Sequence, residues 1–145
     1  MLSRQASHAL KALLELAGDP QQWRSTQQLA SSQQLPEPML EQLLLRLRRA
    51  GLLQARRGRH GGYRLAQPAA AISLAAVLAG LGERGGGGVD REPGRTPADQ
   101  VTAALHRRLE RAREQALAAL SLEDLLFDLR SAEASADSDA GLLLG

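Results

Sequence analysis

Between Arg56 and His60, four of five side chains are basic, and glycines stand within and after them: Arg56-Arg57-Gly58-Arg59-His60-Gly61-Gly62. Guanidinium groups are always charged and present a rigid fork of donors that matches phosphate. A narrow glycine-rich tip carrying arginine suits the minor groove of DNA, whose negative potential attracts it. A second set, Arg46, Arg48 and Arg49, closes a leucine-rich segment that begins at Pro36. Each set also has a plainer reading, as a solvated helix face or as solubilising charge on a hairpin. It is their order along the chain that points to nucleic acid.

Other chemistry has little to work with. Cysteine is absent, which excludes disulfides, thiol catalysis and any Cys-ligated zinc or iron–sulfur site. His8, His60 and His106 are scattered and suggest no metal site. The run Gly85 to Gly88 lacks the Lys-Ser/Thr ending of a phosphate loop. The carboxylates lie mostly in the back half, where solvated helix faces are the default. An enzyme is therefore the least supported reading, and no cofactor is expected.

Charge is divided along the chain. The 145 residues carry a net charge of only +2. Residues 1–80 hold ten Lys or Arg against four acids, a balance of +6; residues 81–145 hold eight against twelve, a balance of −4. A basic front implies a polyanionic partner. Trp23, Tyr63 and Phe127 are the only aromatic residues, so the core must come from leucine and alanine on helix faces. No apolar stretch is long enough to span a membrane, and Lys11 and Glu15 interrupt the first. For the same reason the start is not expected to act as a signal peptide, and a cytoplasmic location is expected.

These residues need elements to position them. Apolar spacing predicts a first helix over residues 3–17. Ser25 and Gln28 form a capping-box pattern opening a short helix that ends near Ser32. Pro36-Glu37-Pro38 starts a third helix, with Leu40, Leu43, Leu44 and Leu47 on its apolar face and Gly51 as a left-handed cap. Alternation at Leu53 and Ala55, then at Tyr63 and Leu65, predicts a β-hairpin around the basic tip. Ser73 caps a short helix over 74–81. Residues 82–97 read as a flexible glycine-rich loop. Thr96-Pro97 begins the longest helix, to about Leu120. Its apolar residues Val101, Leu105, Leu109, Ala112 and Ala116 step by four and three like a coiled-coil seam. A short helix over 122–130 follows, and residues 131–145 are expected to be disordered.

The fold class expected is mainly α with a small β-hairpin: a winged helix-turn-helix domain over 1–81, joined by the loop 82–97 to a dimerisation helix and a short helix within 98–130. A helix-turn-helix offers the N-terminal part of its second helix to the major groove. The hairpin would be a wing.

The residues that carry this reading also resemble a known family. Met39-Leu40-Glu41-Gln42-Leu43-Leu44, then Leu47-Arg48-Arg49-Ala50-Gly51-Leu52, then Arg57-Gly58-Arg59-His60-Gly61-Gly62-Tyr63-Arg64-Leu65-Ala66 look like the Rrf2 family of transcriptional regulators, the IscR-, NsrR-, RirA- and CymR-like proteins. Leu2-Ser3-Arg4, Ile72-Ser73-Leu74 and Ser121-Leu122-Glu123-Asp124-Leu125-Leu126 are similar to its other segments, so the resemblance covers roughly residues 1–130. It implies a homodimer on double-stranded DNA, built by a long helix that crosses its mate. It implies that Pro38, Met39, Glu41 and Gln42 lie where bases are read, Glu41 matching a base-reading glutamate. Arg46 and Arg49 would follow on the same helix, and Arg56, Arg57, Arg59 and His60 on the wing. Many members hold an iron–sulfur cluster through three cysteines in the loop before the long helix; residues 83–97 contain none. Cluster-free members respond to partner proteins or other signals. The competing function is a module that docks on an enzyme or another regulator through the glycine-rich loop or the Leu142-Leu143-Leu144 tail.

Overall fold

The computed structural model describes residues 2–83 and 94–144, with no side-chain description beyond residue 138. Most of the expected glycine-rich loop lies outside the described residues.

Helix α1 (Arg4–Gly18) starts where the Ser3 hydroxyl accepts from the Ala6 amide at 3.0 Å. One face, including Ala9, Leu13 and Leu16, is buried. Helix α2 (Thr26–Gln33) opens with the full Ser25/Gln28 capping box, which satisfies two otherwise orphaned backbone donors. Its end is set by Gln34, a non-glycine at φ 56°. That left-handed backbone costs roughly 1 kcal/mol, offset in part by the Leu35 amide donating to Ala30 O at 2.9 Å.

Helix α3 (Glu37–Arg49) buries Leu40, Leu43, Leu44 and Leu47, the face its spacing predicts. Gly51, at φ 82°, turns the chain out of it. The Gly51 amide donates to Arg48 O and the Leu52 amide to Leu47 O, each at 3.0 Å. This pair of bonds makes a Schellman motif, and Leu52 and Leu47 are both buried beside it.

Strands β1 (Leu53–Arg56) and β2 (Gly62–Leu65) pair antiparallel, Arg56 opposite Gly62 and Gln54 opposite Arg64. Leu53, Tyr63 and Leu65 face the core. The hairpin has a third partner that periodicity does not reveal. Arg24, between α1 and α2, bridges Tyr63 through two backbone hydrogen bonds, at 3.0 and 2.7 Å. Gly62, at φ 139°, lies so close to this segment that a Cβ there would collide with the Arg24 carbonyl and the Ser25 amide nitrogen.

After a 3-10 turn (Ala69–Ala71), α4 (Leu74–Gly80) adds Leu74, Val77 and Leu78 to the core. Helix α5 (Pro97–Ala119) has 23 residues and buries none of them. Helix α6 (Leu122–Leu144) returns to pack on α1, with Leu122 and Leu126 buried. Two backbone bonds stitch the α5–α6 junction to the start of α4: Leu74 N to Leu120 O at 2.9 Å, and Leu122 N to Ile72 O at 2.8 Å.

The expectation of a short last helix and a disordered tail is corrected here. The helix does not stop at Arg130 but runs on to Leu144. Ala132, Ala134 and Ala136 are strong helix formers within an otherwise polar stretch. Helical continuation therefore needs no burial, and residues 131–138 are exposed throughout.

Candidate nucleic-acid interface

The buried leucines of α3 leave the opposite side to solvent. Pro38, Glu41, Gln42, Arg46 and Arg49 are exposed and recur at helical spacing. Met39 differs from the rest of the expected set. It is partly buried against the core, with its sulfur 3.3 Å from His8 Nδ1. It flanks the exposed face rather than standing on it. Arg46 donates to the Leu81 carbonyl at 3.5 Å, at the C-terminal end of α4, where a helix favours a cation.

The wing tip projects beyond the hairpin, and residues 54–60 are all exposed. Arg56, Arg57, Arg59 and His60 are therefore together, but not alike. Arg56 Nη2 donates to the His60 carbonyl at 2.6 Å, and its guanidinium carbon lies 4.7 Å from the centroid of the Trp23 ring. Arg64, from β2, lies over the same ring at 4.3 Å. Among the described residues, neither Arg57 nor Arg59 pairs with a carboxylate. The one ion pair there joins Arg24 to Glu15 at 3.8 Å. A polar cleft of about 510 Å³ opens beside the tip, lined by Gln22, Trp23, Gln27, Gln28, Arg59 and His60 among others.

Glu41 ties these elements together. One carboxylate oxygen accepts from the Thr26 hydroxyl on α2; the other accepts from the Tyr63 hydroxyl on β2 at 3.3 Å. The carboxylate stays exposed, and its two oxygens offer about four acceptor positions. It is thus oriented without being saturated. Burial first, and then the charge and hydrogen bond of Glu41, push the Tyr63 phenol above its ordinary pKa, so it remains a donor.

Thr26, Tyr63 and Trp23 do not stand out from spacing alone. Tyr63 sits in the Gly-Gly-Tyr run and Trp23 is the only tryptophan. Those two singularities were the available signals.

Away from the exposed α3 face, α5 carries its apolar seam bare. Val101, Leu105 and Leu109 are 69%, 52% and 61% exposed; Ala112 and Ala116 are exposed too. A contiguous apolar stripe on a long helix marks an interaction surface.

The comparisons with known proteins agree with this architecture. A family model described as an iron-dependent transcriptional regulator, Rrf2, matches residues 2–128. The putative HTH-type transcriptional regulator slr0846 of Synechocystis is 39% identical over 142 residues, 92% of this chain and 92% of that protein. The HTH-type transcriptional regulator IscR of Cereibacter sphaeroides is 38% identical over 85 residues, which span 57% of this chain and 55% of its own. Among solved structures, T. potens IscR matches with a TM-score of 0.74 at 28% identity, covering 91% of this chain and 90% of that one. CymR, the global cysteine regulator of B. subtilis, matches with 0.74 at 30% identity, over 87% and 95%.

The family description mentions iron, and the residues present do not fit a thiolate-held cluster. The chain has no cysteine, and among the described residues no three His, Asp or Glu side chains converge to hold a metal. Nor is any described helix long and apolar enough to cross a membrane. With a winged helix-turn-helix fold, a family model matched over residues 2–128 and a relative 39% identical along nearly its whole length, the chain belongs to the Rrf2 family of transcriptional regulators.

Proposed function

We propose that this regulator binds double-stranded DNA as a homodimer on a palindromic operator, in the cytoplasm, and represses by occupying promoter DNA. The observation that carries the reading is the pairing of an exposed polar α3 face with a wing tip whose Arg57 and Arg59 are unpaired among the described residues. Such guanidinium groups gain more from displacing counterions on phosphate than from remaining in water. Pro38, Glu41 and Gln42 face base edges in the major groove, where a glutamate can accept from the cytosine amino group. Arg49 and the outer α3 arginines take phosphates, and Arg57, Arg59 and His60 enter the minor groove. Val101, Leu105, Leu109, Ala112 and Ala116 meet the same residues of a second copy, since two stripes of this kind cover one another. No resident cofactor is invoked, and a regulatory protein partner is the candidate source of a signal.

Selection of genomic fragments with purified protein tests this reading. The expected result is enrichment of an inverted repeat; selection without any enriched palindrome overturns it. Repeating the selection with Glu41→Ala should relax preference at one base pair per half-site by about 1–3 kcal/mol. Unchanged preference everywhere would remove Glu41 from the base-reading set.

A further inference from the structure

We infer that Trp23 is a positioning residue for the wing, and that Arg56 acts through Trp23 rather than on DNA; this rests on the DNA-binding reading above. Arg56, Gly62 and Arg64 share one face of the hairpin, because Arg56 is opposite Gly62 and Arg64 follows it by two residues. Gly62 supplies no side chain there, and the backbone of Arg24 and Ser25 fills the space. The two arginines flank that contact, and both guanidinium groups lie over the Trp23 ring, at 4.7 and 4.3 Å. These distances are well inside the range of cation–π attraction.

Two cations held over one ring repel each other. The negative face of the indole is what makes their juxtaposition favourable. Arg56 then passes the constraint outward, since it also donates to the His60 carbonyl at the tip, at 2.6 Å. Trp23, Arg56 and the His60 backbone thus form a strut. At its base, Trp23 stands two residues before the Ser25 cap of α2, so the tip is referenced to the helix-turn-helix itself. Arg57 and Arg59 ride on the tip that this strut holds.

The test uses the whole chain, free and on its selected duplex. Trp23→Ala and Arg56→Ala should each accelerate backbone hydrogen exchange over residues 57–61 in the free protein. Each should also weaken duplex binding about tenfold and erase minor-groove protection in a hydroxyl-radical footprint. Arg56→Ala should add nothing further in the Trp23→Ala background, and Trp23→Phe should restore most of the loss. Because Trp23 is the only tryptophan, its acrylamide quenching reports the strut directly and should rise in Arg56→Ala and Arg64→Ala. Those exposed or half-exposed arginine variants keep the test open if Trp23→Ala does not fold. Additive losses for Trp23→Ala and Arg56→Ala, or wild-type tip exchange in the variants, overturn the inference. Strut signatures in the free protein with no duplex bound by the wild type would overturn the DNA reading instead.

Discussion

A single carboxylate, Glu41, meets the first residue of α2 and the wing tyrosine at once. That contact makes the phenol of Tyr63 a reporter of how the helix-turn-helix and the wing hold together. Burial is the main reason its pKa lies above the ordinary 10.0, with the Glu41 charge and hydrogen bond adding to it and Arg48 opposing it. A raised folded-state pKa means the folded protein keeps the proton that the unfolded chain gives up. The associated stability is fully present below pH 10 and is lost as pH rises through the folded value. Stability should therefore fall above pH 10, and Tyr63→Phe should flatten that fall in alkaline denaturant titrations. The same variant should cost about 1 kcal/mol near neutrality, where the hydrogen bond is removed. As the only tyrosine, Tyr63 can be titrated by its tyrosinate absorbance. A midpoint at or below 10 would contradict the assignment.

At the scale of elements, helical periodicity announced the faces of α1, α3 and α5. In α1 and α3 those leucine steps correspond to burial; in α5 they correspond to a bare seam. Since Leu105 is half exposed and α5 buries no residue of its own, Leu105→Glu should leave the fold intact and remove self-association. Sedimentation velocity should show a monomer, with an unfolding midpoint close to that of a wild-type sample diluted until it dissociates. A variant that stays dimeric would place the interface elsewhere. Two features were not legible. The third partner of the hairpin is a single bridge at Arg24, too short to leave any alternation. The continuation of α6 rests on alanine propensity in a stretch whose polarity reads as disorder. Both lie where local pattern and final structure are only loosely coupled. The role of Arg56 was also hidden, because composition counts an arginine without showing that an indole and a carbonyl already hold it.

The whole molecule is nearly neutral yet strongly divided, with its basic half carrying the α3 face and the wing. Among the described residues its front arginines stand apart from carboxylates, with Arg24 the exception. Association with a duplex should therefore be governed by salt. Arg57→Ala should weaken binding to all sequences alike and lower the slope of log affinity against log salt by about 1 for each phosphate no longer neutralised. Filter binding across a salt series measures it, and an unchanged slope would take Arg57 off the backbone.

The stitching of Ile72 and Leu74 to Leu120 and Leu122, with α6 lying on α1, has a topological meaning. The last helix closes onto the first, so the chain forms a ring of contacts in which the connection between α4 and α5 is only one link. The parts of the chain before residue 84 and after residue 93 meet through complementary apolar surfaces, Leu122 and Leu126 of α6 being buried where that helix packs on α1. The seam-bearing helix thus stays registered to the helix-turn-helix by packing and backbone pairing as well as by the chain that joins them.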